Sequence, residues 1–396
     1  MITHFHIENF RSLANFDLPP GGHELGGFTC LIGMNGAGKT TLLQAFDFTA
    51  HLMSGSVVDW VVSRGWDAWD LRTKFGSEGD IRLSVALILS EGRRARWDAT
   101  YAVEGFRCVE ETVSLDEREL LKLQIDGSLR LMGRNKKADE FQQIPFEFQG
   151  SILSSLRLEG YAPELKEVKE MILGLHSLEL LSPHLIRRSS RASEDVGPGG
   201  ERLAGFLFRL NETQRKDLLE QLRHIYPQVT SLQIQKKPDN LLGLLVKEQA
   251  LGEAELTEAN LNDGFLRVLV MLSQAYDTQH SILLLDEIEN GINPAVVDNL
   301  MKFLVSLGHG DRQVQVIVTT HSPVILNYLD DDVAREGVIL LYKTPDGRTL
   351  SKRYFDVPEN AVKLRALGPG EVFLDTSIEA LVDRLLAAED PTTRPA

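Results

Sequence analysis

The chain has 396 residues, 43% hydrophobic and 25% charged, the composition of a globular protein with room for two or three domain-sized units. A formal net charge of −15 excludes a surface coated throughout for nucleic acid, although a local basic groove fits inside an acidic total. No apolar run reaches the length of a membrane span, "MITHFHIENF" lacks a signal-peptide core, and Cys30, one of two cysteines, sits in an apolar run as a small core residue. A soluble protein of a reduced, cytoplasmic compartment is therefore expected, with no membrane partner.

Residues 1–33 alternate as strands do and end in the buried run "FTCLIG". "TTLLQAFDF" (40–48) then takes helical spacing at Leu42, Leu43 and Phe46. "DIRLSVALIL" (80–89) and "ARWDATYAV" (95–103), joined by "SEGRR", predict an antiparallel hairpin. Residues 150–226 read as mostly helical, interrupted by "RRSSRASEDVGPGGE" (187–201), whose Ser, Gly and charge content predicts a mobile loop. "SLQIQKK" and "LLGLLVKE" flank Pro238-Asp239-Asn240 as a second hairpin. From Ser281 strands alternate with helices ("SILLLDE", "PAVVDNLMKFLVSL", "VQVIVTT", "SPVILNYL", "VILLYK"), which predicts a parallel sheet covered by helices. "EDPTTRPA" reads as a frayed tail.

"GMNGAGKT" (33–40) lies between a predicted strand and a predicted helix and fits the phosphate-loop pattern. Its glycines let the N–H groups of Asn35, Gly36, Ala37, Gly38 and the following residues through Thr41 curl around a triphosphate. Lys39 would neutralise the β and γ phosphates, and Thr40 would hold Mg²⁺. "ILLLDE" (282–287) ends an apolar strand in two acids: Asp286 would reach Mg²⁺ through water, and Glu287 would polarise the attacking water. In "TTHSP" (319–323) His321 leaves another apolar strand, with Ser322 as a helix cap before Pro323. A lone histidine there is more often structural; set in the same sheet as a phosphate loop it reads as a γ-phosphate contact. "NLNDGFLRVL" (260–269) opens a buried helix with Asn262, Asp263 and Gly264, an arrangement whose free N–H groups suit an anion.

The order phosphate loop, signature, acid pair, histidine resembles the ABC-type ATPases. "IENFRSL" (7–13), the long interval before "NLNDGF", and "DEIENGINP" (286–294) resemble the SMC/RecF/OLD branch. More closely, "SILSSLRLEGYAPELKEV" and "LGPGEVFLDT" are similar to stand-alone ATPases found beside toprim-like or other nuclease subunits in prokaryotic defence loci. The resemblance implies an α/β ABC-ATPase fold with a mostly parallel core sheet, an antiparallel β subdomain and a helical insertion. It divides the chain into an N-terminal lobe (1–149), the insertion (150–226), a C-terminal lobe (227–378) and a final helix and tail (379–396). It also implies that Asn262, Asp263 and Gly264 cap the γ-phosphate bound by another subunit, in a homodimer or higher homo-oligomer around ATP and Mg²⁺. The family usually has serine where Asn262 stands. Glu289 and Asn290 fall in its dimer-contact loop, and Asn293-Pro294 would open the next helix.

Gln149 is the candidate for the family's Mg²⁺-sensing glutamine, and Arg11 and Ser12 match its "NFRS" start. The basic clusters "GRRAR" (92–96), "GRNKK" (133–137) and "RRSSR" (187–191) raise contact with DNA or RNA, against the ordinary reading of solvated faces. The leading expectation is an ATP-hydrolysing switch that regulates a separately encoded effector, such as a nuclease, in defence against phage. The rivals are a RecF-like repair ATPase that binds DNA itself and the nucleotide subunit of a transporter. A fused toprim nuclease is not expected after "LGPGEVFLDT", because too few residues follow.

Overall fold

A computed structural model describes residues 1–389 apart from 76–78, 136, 138, 176, 179, 181, 277–281 and 310–313. Most of the tail expected from 389 onward, and position 136 of the "GRNKK" cluster, lie outside the described residues.

The alternation of "ITHFHIENF" makes β1 (Ile2–Phe10), which pairs antiparallel with β2 (Leu13–Leu18). "FTCLI" makes β3 (Phe28–Ile32), buried at every position, and the chain then turns into the helix Lys39–Ser54. β4 (Ile81–Ile88) and β5 (Arg94–Ala102) form the expected hairpin. It continues through β6 (Arg107–Leu115), β7 (Arg118–Leu123), β8 (Ser128–Leu131) and β9 (Gln142–Gln143) into an eight-stranded sheet, ordered β2-β1-β4-β5-β6-β7-β8-β9. After β10 (Ser177–Leu178), the strands β11 (Val229–Lys236), β12 (Leu242–Glu248) and β13 (Glu255–Thr257) form a three-stranded antiparallel sheet.

The remaining strands, β14 (Ile282–Leu285), β15 (Gln315–Thr319), β16 (Val338–Lys343) and β17 (Thr349–Arg353), join β3 and β10 in the central sheet, ordered β10-β14-β15-β3-β16-β17. Only β16–β17 is antiparallel in it; the other pairings are parallel. Both faces are covered, so its strands carry continuous apolar runs whose alternate residues enter different cores. Phe28, Cys30 and Ile32 pack with the helix Asp263–Gln274, whereas Leu31 packs with the helix Lys39–Ser54 and the antiparallel sheet.

This order places β14, β15 and β3 side by side and parallel, so their carboxyl ends meet at one edge. Ligands of open α/β sheets bind at that edge.

Two expectations change. Residues 150–226 hold the helices Ile152–Ser155, Pro163–Leu173, Pro183–Ile186, Leu203–Arg209 and Glu212–Ile225, but much of 174–202 is irregular. The first part of the 187–201 stretch is docked rather than free. Ser190 and Leu242 exchange backbone hydrogen bonds of 3.1 and 2.8 Å, and the Ser190 hydroxyl accepts from Gly205 N at 2.9 Å. Polar residues that signal a loop in sequence here spend their hydrogen bonds on tertiary partners.

Candidate functional site

Three strand ends build the site. At the end of β3, Gly38 has φ 109° and a Cβ there would overlap the Thr349 side chain, so the loop needs glycine for conformation and for space. Asn35 and Gly36 are exposed and Ala37 is buried; Thr41 is half-buried in the first helical turn. Lys39 Nζ donates to Gly33 O at 2.8 Å and Met34 O at 3.2 Å, and lies 3.3 Å from His321 Nδ1. Burial lowers the Lys39 pKa from its ordinary value, opposed by Asp286, Glu287 and Glu289.

At the end of β14, Asp286 accepts from two hydroxyls, Thr40 at 2.9 Å and Thr319 at 2.6 Å. The Thr319 hydroxyl in turn accepts from Glu287 N at 2.8 Å. Glu287 adopts φ 46°, and its carboxylate lies 3.6 Å from His321 Nε2 and accepts from Asn290 Nδ2 at 3.3 Å.

At the end of β15, His321 is oriented from both sides. An ammonium only donates, so the Lys39 contact assigns Nδ1 as acceptor and leaves the ring proton on Nε2, toward Glu287. His321 N donates to Glu289 Oε1 at 2.8 Å. Ser322 stands at the helix N-cap and Pro323 follows it at the first helical position, but the Ser322 side chain makes no capping bond.

The oxygen set fits Mg²⁺. A hydroxyl and a carboxylate 2.9 Å apart, beside a loop shaped for phosphates, are the hard donors that Mg²⁺ takes from protein when phosphates and water supply the rest. Among the described residues no group of three or more His, Cys, Asp or Glu is arranged to hold a metal alone.

The signature opens the helix Asp263–Gln274 as expected. Asn262 Oδ1 caps it by accepting from Phe265 N at 2.7 Å. Asn262 is exposed, and its Nδ2 has no hydrogen-bond partner among the described residues. Gly264 is needed for close approach: a Cβ there would lie 2.6 Å from Gly291 O. Arg267, one turn on and buried, donates to Asn290 O.

His321, which Lys39 contacts, and the helix mouth at Asn262 line different openings. A cleft of ≈ 740 Å³ is lined by Gly33, Asn35, Glu287, Glu289, Asn290 and His321. A separate cavity of ≈ 580 Å³ is lined by Asn262, Gly264, Gly291 and Asn293, with His224 to Gln228 on its far wall. Among the described residues the two openings meet at the turn 290–291, where Asn290 lines the cleft and Gly291 the cavity.

Several sequence candidates sit elsewhere or are already engaged. Gln149 is exposed, and its carbonyl accepts from Ser154 Oγ beside Gly55, at the end of the phosphate-loop helix opposite Thr40. The strand beside β14 is β10, and the segment that follows it brings Ser182 to a cavity shared with Thr40 and Asp286. Arg11 lies 4.2 Å over the Trp66 ring and donates to Gln44 at 2.9 Å, while Ser12 Oγ meets Thr349 Oγ1 at 2.9 Å. The "GRRAR" arginines are paired: Arg93 with Glu164 and Glu167, Arg94 with Glu24, Arg96 with Asp98.

Thr319 carries no functional signal in sequence, although it stands inside "TTHSP". Thr319→Val keeps the shape and removes the hydroxyl that holds Asp286 and the Glu287 amide. It is expected to weaken Mg²⁺-dependent nucleotide binding by about 10-fold or more, as loss of an orienting partner does at metal sites. Titrating Mg²⁺ against bound nucleotide checks this; an unchanged midpoint would show that the hydroxyl serves packing alone.

Comparison with known proteins agrees with this geometry. The family described as "AAA domain, putative AbiEii toxin, Type IV TA system" matches residues 28–327, and that described as "AAA ATPase domain" matches residues 1–54. A 47-residue stretch is 47% identical to an OLD nuclease of Thermus scotoductus, taking in 12% of this chain and only 8% of that protein. An SMC head bound to the C-terminal winged-helix domain of ScpA aligns with TM-score 0.55 at 14% identity, over 89% of this chain and 96% of that one. The Pyrococcus furiosus SMC head with an extended coiled coil, bound to the C-terminal domain of ScpA, aligns with TM-score 0.52 at 13% identity, over 92% and 99%. At such identities the SMC heads speak for the fold alone. With the family match over most of its length, the chain belongs to this AAA-domain family, and it has the ABC-ATPase fold of the SMC heads.

Proposed function

We propose that the protein hydrolyses ATP and works as a switch, closing as a homodimer around two nucleotides and regulating a separately encoded effector, such as a nuclease, in prokaryotic defence. The carrying observation is that His321, whose Nδ1 meets Lys39, lines one opening of the chain, whereas Asn262 and Gly264 line another. A second copy, turned head to tail, would bring its signature to the first copy's cleft.

In this reading Asn35 to Thr41 cradle the phosphates and Lys39 leaves its loop carbonyls for the β and γ oxygens. Thr40 and Asp286 would hold Mg²⁺, whose charge stabilises the transferring phosphoryl group. Glu287 orients the attacking water, and His321, with its proton on Nε2, contacts the γ-phosphate. Asn262 donates from Nδ2 while its oxygen stays committed to the helix cap. A ligand that joins two copies only while its γ-phosphate persists biases a closed state, and hydrolysis releases it. The segment 150–226, which also lends β10 to the central sheet, would offer the partner contact between the N-terminal and C-terminal lobes. The ScpA-bound SMC heads support a partner-bound reading and the OLD nuclease a link to nuclease activity, while the carboxylate pairing of the "GRRAR" arginines speaks against direct nucleic-acid binding.

Mixing two inactive chains tests trans assembly. Lys39→Ala destroys one phosphate loop. Asn262→Asp preserves the helix cap, since aspartate caps as well as asparagine, but puts an anion where the phosphate would sit. Neither should hydrolyse ATP alone. Their heterodimer should regain one composite site, up to about half the wild-type sites per dimer, with coupling between sites free to lower the rate. Full activity of Asn262→Asp by itself would end the trans reading.

A further inference from the structure

One arginine that the phosphate chemistry does not use grips the signature loop from outside. Arg187 follows the short helix Pro183–Ile186, in the segment that leaves β10 and passes Ser182 beside Thr40 and Asp286. Its Nη1 donates to Glu258 O at 2.6 Å and to Leu261 O at 2.7 Å, and its Nη2 pairs with Asp263. Three acceptors on both sides of Asn262 are thus held by one planar fork.

The surrounding side chains reinforce this grip. Glu258 is buried, and its carboxylate accepts from Lys237, from Leu244 N at 3.0 Å and from Ser189 Oγ at 3.3 Å. The carbonyl that Arg187 binds therefore belongs to a residue already fixed to β12. Asn262 itself is exposed and touches the rest of the fold chiefly through its own helix cap, so its direction depends on the loop on either side.

We propose that Arg187 is a positioning residue for the signature: it never meets the nucleotide of its own chain, and it holds residues 258–263 in the shape that lets Asn262 and Gly264 receive a phosphate brought by another copy. Lysine cannot replace it, because a single ammonium does not span two carbonyls and a carboxylate with fixed directions. The proposal rests on the trans reading above, and its test separates the two.

The experiment adds Arg187→Gln to one member at a time of the Lys39→Ala and Asn262→Asp pair, with heterodimers isolated by two affinity tags. The composite site takes its signature from the Lys39→Ala chain. Arg187→Gln on that chain should lower its ATPase rate by about 10-fold or more, the loss expected when hydrogen bonds from a charged group are removed. The same change on the Asn262→Asp chain, whose signature is already disabled, should leave the rate within about twofold by the same reasoning. Equal losses on either chain would overturn the proposal, since a merely structural role does not distinguish them. An inactive pair before Arg187 is touched marks failure of the trans reading instead.

Amide exchange then decides the proposal independently: in the single Arg187→Gln chain, residues 259–263 should exchange about 10-fold faster or more while the helix Lys39–Ser54 is unchanged. Unaltered exchange would overturn it. If Arg187→Gln does not fold, Arg187→Lys keeps the charge beside Asp263 and should show the same one-sided loss, smaller in size.

Discussion

Glu287→Gln is expected to lower the steady-state ATPase rate by about 10²–10⁴-fold, the range for removal of a group that takes or orients a proton, with nucleotide affinity nearly unchanged. The change is isosteric. The Asn290 amide still finds an oxygen, the Glu287 N–H still meets Thr319, and the Lys39 contacts with Gly33 O and Met34 O are untouched. What disappears is the charge 3.6 Å from His321 Nε2, and with it the acceptor that turns a water toward phosphorus. With hydrolysis blocked and the γ-phosphate retained, an ATP-dependent dimer should accumulate and elute early in size exclusion. A variant that turns over at the wild-type rate would move the water-positioning role away from Glu287.

Lys39→Ala should weaken ATP binding by about 100-fold or more, because charge-assisted contacts to two phosphates are lost together. Its effect on stability should have the opposite sign. Lys39 is buried, and burial outweighs three nearby carboxylates to lower its pKa, so the fold holds this cation at a cost. Removing it frees Gly33 O and Met34 O, at the open edge of the sheet, to bind water. The melting temperature without nucleotide should therefore hold or rise, while its increase on adding ATP should vanish. Calorimetric titration reads the first effect and thermal melting the second. Wild-type affinity would remove the phosphate-loop assignment, and a large drop in melting temperature would show that the lysine is chiefly a structural tie.

The parts of this molecule legible in sequence are those in which chemistry and chain direction coincide. A phosphate loop must leave a buried strand and enter a helix within eight residues, so Gly33 to Thr40 carries its own context. The acids at 286 and 287 and the histidine at 321 also follow apolar runs, and parallel pairing of β14, β15 and β3 brings them to one edge. Positions set by tertiary partners were not legible. Thr319 is an ordinary β-branched strand residue until the neighbouring strand puts Asp286 at its hydroxyl. Gln149 stands out in sequence as a glutamine after the antiparallel strands, but the strand next to β14 comes almost thirty residues later, so Ser182 lies beside Thr40 and Asp286 instead. The docked stretch 187–191 has the composition of a free loop because its partners, Leu242, Glu258 and Asp263, are distant in sequence.

The backbone at Glu287 carries a further meaning. With φ at 46° the residue occupies the left-handed region, where a side chain costs about 1–2 kcal/mol relative to glycine. Asparagine or glycine would suit that turn better, and neither offers a carboxylate at that reach. The strain bends the chain sharply after β14, so that the acid points back over the strand ends while its amide still bonds to Thr319. With the water-orienting role proposed for Glu287, durability and turnover make opposite demands on one torsion angle, the strain at this position lowering the first in favour of the second.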